Sequence, residues 1–91
     1  MEPYKVVFKP SVEKDLRCLP HTVLTRVLSK IQQLKANPVS RDAVKISGAE
    51  HYYRVRVGDY RVIYSIDRDK MTIIIQYVRH RRHAYSNLTL T

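Results

Sequence analysis

The chain has a single cysteine, two glycines, one phenylalanine and no tryptophan. With Cys18 alone, neither an internal disulfide nor a cysteine-based metal cluster can form. Cys18 falls among the apolar positions of a short helix, where a buried, inert thiol is expected. The histidines do not fill the gap. His21 and His51 are isolated, and His80 and His83 flank arginines, so neither a metal nor another cofactor is expected. No apolar run approaches the ~18–20 residues that span a bilayer. The opening Met-Glu-Pro-Tyr-Lys is unlike a signal peptide, so a cytoplasmic protein with no membrane attachment is expected. Repeats, low-complexity tracts and linkers are also missing, and 91 residues suit one small domain spanning 1–91.

Acidic residues are scarce as well. Eight Asp and Glu face 17 Lys and Arg, for a net charge of +9 and a pI near 10.0. That balance favours nucleic acid or an acidic protein as partner over a neutral metabolite. The 44% apolar content sets the chain apart from a disordered basic tail.

What is present centres on Glu50–Tyr64. Two alternating runs of β-branched and aromatic residues flank Gly58-Asp59, which predicts a β-hairpin with a type II′ turn. In that register Val55, Val57, Tyr60, Val62 and Tyr64 share one face, and Arg54, Arg56 and Arg61 the other. Arg56 and Arg61 then stand directly opposite each other, which is unfavourable by up to ~1 kcal/mol. Solvated arginines are good filler for an outer sheet face. Three converging on one hairpin point instead to an external polyanion, because a guanidinium offers fixed donors to phosphate oxygens.

The remaining elements follow in order. Tyr4–Phe8 reads as a short strand with Val6 and Phe8 on one face. Ser11 is the expected N-cap of a helix from about Val12 to Leu19, with Glu13 and Asp15 near its positive end. Pro20 breaks it and opens a second helix running to about Ala36, with an apolar face of Leu24, Val27, Leu28, Ile31 and Leu34. Asn37-Pro38 stops that helix. Residues 39–50 read as a loop. A turn at Asp67–Lys70 leads into a strand from Met71 to Val78. Regular pairing puts Met71, Ile73, Ile75 and Tyr77 on the core face, and Ile74 and Val78 with Ile63 among the arginines. The basic run Arg79–His83, ending in Ala84-Tyr85, then leaves the sheet either as a solvated tail or as part of a site. The fold class is α+β: a short N-terminal strand, a helical hairpin, then an antiparallel sheet with a basic C-terminal segment.

Tyr4-Lys-Val-Val-Phe8, Lys14-Asp15-Leu16 with Leu19-Pro20, Asn37-Pro38, Gly48, the run Tyr53–Tyr64, and His80-Arg81 with Tyr85 together resemble the RelE/ParE toxin superfamily. The resemblance runs in order over nearly the whole chain. It implies the RelE-like fold and a toxin of a type II toxin–antitoxin pair. On the RelE side it implies a metal-independent, ribosome-dependent endoribonuclease that cuts mRNA in the ribosomal A site. The ribose 2′-hydroxyl attacks the adjacent phosphate and leaves a 2′,3′-cyclic phosphate, and translation stops.

The implied partners are the ribosome, its mRNA and a cognate RelB-like antitoxin, with operator DNA reached only through the antitoxin complex. By position, Arg61 would hold the scissile phosphate, Arg81 would stabilise the leaving group, and Tyr85 would orient or stack on a base. Arg54 and Arg56 would line the active face, and Arg79 and Arg82 extend the phosphate-binding set. Arginine cannot act as the base, because it is effectively never deprotonated. His80 is the candidate base, since an unperturbed histidine titrates near neutrality. The competing idea is that positioning and phosphate stabilisation suffice. Two other functions fit the same charge: a ParE-like inhibitor of DNA gyrase, and a non-catalytic nucleic-acid-binding module.

Overall fold

A computed structural model describes residues 3–48 and 51–82. Strands β1 (Lys5–Phe8), β2 (Val44–Lys45), β3 (Tyr52–Val57), β4 (Tyr60–Asp67) and β5 (Thr72–His80) form one sheet in the order β1-β5-β4-β3-β2. Helices α1 (Pro10–Arg17) and α2 (His21–Ala36) lie between β1 and β2 in sequence. The β2-β3, β3-β4 and β4-β5 pairings are antiparallel, whereas β1 runs parallel to β5. A parallel neighbour needs a long crossover connection, and the two helices are part of it. This is the expected α+β arrangement, with one short strand added inside the predicted loop.

One sheet face carries the core. Val55, Val57, Val62, Tyr64, Ile66, Ile73, Ile75 and Val78 pack with Val12 of α1 and Val27, Ile31 and Leu34 of α2. These helical residues recur at three- and four-residue steps, so one stripe of α2 meets the pleated surface. Leu28 lies off the stripe and is exposed, close to Phe8 at the β1 edge. Tyr64 is fully buried, stacks on Tyr53 at 5.9 Å and donates its hydroxyl hydrogen to the Pro38 carbonyl at 2.6 Å. Burial pushes its phenol well above the usual range, so it stays a neutral donor.

Three local expectations are corrected. The residue preceding α1 is Lys9, which makes no side-chain cap, and Pro10 occupies the first turn where its missing N–H costs nothing; Ser11 lies inside the helix. Cys18 is exposed rather than buried: it caps the C-terminus of α1, while Leu16 and Leu19 on either side of it pack against the core. The strand predicted to end at Val78 continues to His80.

Strand β5 also changes face along its length. Ile63 pairs with Tyr77 but Tyr64 pairs with Ile75, so Gln76 is an extra residue that interrupts the register. A bulge shifts the alternation by one. Val78 therefore turns into the core and Tyr77 joins the arginines, the reverse of the expected assignment. Gln76 is buried and satisfied, donating to the Ser65 hydroxyl at 3.0 Å. Beyond Phe8, where β1 stops, the Asp15 carboxylate accepts the Val78 N–H at 3.1 Å in place of a strand carbonyl. No helix is long and apolar enough to cross a membrane among the described residues.

Candidate nucleic-acid interface

The hairpin turn sets the site. Gly58 has φ +58°, a conformation open to glycine at no steric cost, while Asp59 keeps a negative φ. This turn holds Arg54 opposite Ile63 and Arg56 opposite Arg61, as the alternation predicts. The bulge then adds a residue that the sequence pattern assigns to the basic tail: Arg79 pairs with Arg61 from β5. Arg56, Arg61 and Arg79 thus form a row across three adjacent strands, on the face opposite the helices. Directly opposed residues lie ~4.5–5.5 Å apart at Cα.

Behind the row sits a second, mostly apolar one of Val44, Arg54, Ile63 and Tyr77. Ile63 is fully buried there, and the Arg79 guanidinium lies 4.3 Å from the centre of the Tyr77 ring. A cation–π contact of this kind holds a guanidinium in place while leaving its N–H edges to bond elsewhere. The Arg61 Nη1 donates to the carbonyls of Tyr60 at 3.1 Å and Gly58 at 3.3 Å, which folds the side chain toward the turn. Arg54, Arg61, Tyr77 and Arg79 make further interactions beyond these.

The structure divides the predicted residues. Arg54, Arg56, Arg61 and Arg79 come together on one face. The Arg81 N–H donates to the Asp59 carbonyl at 2.7 Å, which ties this residue to the hairpin tip, and Arg81 and Arg82 are both exposed. His80 does not join them. It faces the helix side, edge-on to the Tyr60 ring at 5.4 Å, and its Nδ1 accepts the Arg82 N–H at 3.3 Å. The bulge is the reason: with Val78 turned inward, the next inward position is His80. Tyr85 and His83 lie outside the described residues. Among the described residues, no three His, Cys, Asp or Glu side chains group as metal ligands.

The face can bind a phosphate and stabilise charge that grows on it. Guanidinium groups present rigid forks matched to phosphate oxygens, and donors aimed at developing charge supply the largest single term in many transfer reactions. Neither row contains a carboxylate that would repel such a ligand.

Comparisons with known proteins agree with one another. Residues 6–85 match the family described as the ParE toxin of a type II toxin–antitoxin system, parDE. RelE1 of Methanocaldococcus jannaschii is 36% identical over 92% of this chain and 97% of its own length. The toxin RelE3 of the same organism is 35% identical over 89% of this chain and 94% of its own. Among solved structures, the RelE–RelB complex of Pyrococcus horikoshii matches with a TM-score of 0.76 and 33% identity, covering 90% of this chain and 99% of that one.

Proposed function

This chain belongs to the RelE/ParE superfamily of type II toxins, and on that premise we propose that it is a RelE-type, ribosome-dependent endoribonuclease. It cuts mRNA in the ribosomal A site without a metal. The observation that carries this reading is the Arg56, Arg61 and Arg79 row. Two opposed like-charge pairs are unfavourable by up to ~1 kcal/mol each, and a phosphate placed between them turns that repulsion into attraction. The relatives that carry the RelE name favour the same branch.

In the reaction the 2′-oxygen of a ribose attacks its own 3′-phosphate. The phosphorus–5′-oxygen bond breaks, the 2′-oxygen loses its proton and the leaving 5′-oxygen gains one, giving a 2′,3′-cyclic phosphate. Arg61 holds the scissile phosphate with Arg56 and Arg79 on either side of it. Arg81, tethered at the hairpin tip, stabilises the leaving oxygen. Tyr85 stacks on a base, a contact worth ~1–3 kcal/mol. Arg54 and Arg82 bind flanking backbone. His80 is on the other face and has no part in this scheme, so positioning on the ribosome and charge stabilisation replace a strong side-chain base.

The toxin is held in check by a RelB-like antitoxin, as in the RelE–RelB complexes among its structural neighbours. An acidic, partly apolar partner suits a face that mixes arginines with the half-buried Ile74 and Tyr77. Operator DNA is contacted through that complex, in the cytoplasm.

The test is cleavage of mRNA on programmed ribosomes by wild type, Arg61→Ala and Arg81→Ala. Wild type cuts A-site mRNA only when ribosomes are present, and each variant loses cutting by at least ~100-fold, the scale of removing one transition-state donor, with an unchanged far-UV spectrum. Intact mRNA with folded wild type would sink the proposal. The family match described as ParE toxin supports one second reading, inhibition of DNA gyrase, and a supercoiling assay on the same preparation decides for or against it.

A further inference from the structure

On the helix side of the hairpin tip, α2 and β3 enclose a groove of about 400 Å³. Thr25, Ser29 and Gln33 recur at four-residue steps and form its polar wall, with Arg26 and Lys30 beside them and Arg56 closing it from β3. The groove is open because β2 pairs with Tyr53 and Arg54 alone, so no strand covers the β3 edge beyond them.

Arg26 reaches from α2 to the turn. Its Nη1 lies 3.4 Å from where a Cβ on Gly58 would stand, so the guanidinium packs against the turn at ordinary contact distance. From the opposite side the Arg61 Nη1 reaches the Gly58 carbonyl at 3.3 Å. One glycine therefore sits between two guanidinium groups, one on each face of the hairpin. Lys30 is engaged by Asp42, and the Thr25 hydroxyl donates to the His21 carbonyl. Among the described residues, neither Arg26 nor Arg56 forms an ion pair with a carboxylate.

The groove thus offers the Arg26 guanidinium, with the Ser29 hydroxyl and the Gln33 amide beside it and Arg56 at its β3 border. That set suits a phosphodiester, which takes several donors at once, and it repels a cation. Its volume is too small for a duplex. Arg56 belongs both to this groove and to the arginine row on the other face.

We infer that the groove binds the backbone of the same single RNA strand whose scissile phosphate lies at Arg61, with Arg56 at the crossing point. The strand bends around the hairpin tip, and Arg26 contacts a phosphate outside the cleavage site. This inference rests on the proposed function.

The experiment measures binding of RNA made uncleavable by 2′-O-methylation. Wild type, Arg26→Ala and Arg26→Lys are titrated across salt concentrations with two oligonucleotides. One just covers the arginine face, and the other is several nucleotides longer. On the longer RNA, wild type shows a salt slope steeper than Arg26→Ala by about 0.7, the contribution of one single-strand phosphate, and Arg26→Lys keeps most of it. On the shorter RNA the three proteins coincide. Equal slopes on the longer RNA, or the same deficit on both lengths, overturn the inference. It is also overturned if Arg26→Ala cuts poorly on ribosomes while its free-RNA slopes match wild type, because the groove would then dock on the ribosome. Wild type that shows the length dependence yet leaves A-site mRNA intact would refute the cleavage reading and leave the groove standing.

Discussion

The two faces of this sheet are built from the same strands and obey opposite rules. Toward the helices, Val55, Val62, Tyr64, Ile73 and Ile75 are all but removed from water. Every neighbour there lowers the free energy, by burial worth ~25 cal/mol per Å² of apolar area. Toward the other side, Arg56, Arg61 and Arg79 are aligned so that each neighbour raises it. A sheet selected for stability alone would alternate charge signs on its outer face. The contrast teaches that one face holds the fold together while the other stores unfavourable charge, which under the proposed function the RNA phosphate relieves.

The comparison breaks most sharply in the core. Ile75→Ala removes a fully buried side chain and is expected to cost about 2–5 kcal/mol. On a domain of this size that lowers Tm by more than ~10 °C, read by thermal unfolding; a smaller drop would mean the face is less tightly packed than the geometry indicates. On the outer face the sign reverses. Arg56→Ala is expected to leave Tm unchanged or raise it, by up to ~1 kcal/mol of relieved repulsion, while cleavage on ribosomes falls at least ~10-fold. Lower stability with normal cutting would contradict the division of labour between the faces.

A smaller effect is expected at the loop that carries Asp42, beside Lys30 of α2. The hydrogen bonds from Lys30 and Ser40 hold the Asp42 carboxyl below its ordinary value. A depressed folded-state pKa contributes stability above the unfolded-state value of ~3.9, and that contribution fades as pH falls through the folded one. Asp42→Asn is expected to cost under ~1 kcal/mol at pH 7, as for an exposed pair, with wild type and variant converging in strong acid. An undiminished gap at low pH would assign the effect to something other than the charge. The last expectation is no effect at all. With its ring against Tyr60 on the helix side, His80 is out of the arginine row, so His80→Gln keeps the pH–rate profile of wild type. A displaced profile would bring His80 back as the base.

The hairpin and the Arg56–Arg61 opposition were legible because a two-residue turn at Gly58-Asp59 leaves one register, and alternation then assigns every side chain to a face. The α2 stripe was legible for the same reason at helical period. Gln76 was not. It stands in a run of Thr, Ile, Ile, Ile, Gln, Tyr and Val in which most residues favour a strand, and nothing in that run marks where one residue is extra. That single irregularity moved Tyr77, Val78 and His80 to the opposite faces and hid Arg79 from the site. The two-residue β2 was too short for any period to show. Neither could the parallel pairing of β1 be read, since both of its partners are ordinary apolar runs far apart in sequence.

That parallel pairing has a consequence for how the protein comes into being. β1 bonds to residues Thr72–Ile75 of β5, so the first strand waits without a partner until synthesis has passed Ile75. Arg79 lies beyond that point on the same strand. The sheet therefore closes only after β5 begins to emerge, and the row of arginines is completed after that. Under the proposed function, the nascent chain stays inactive until β5 has been made.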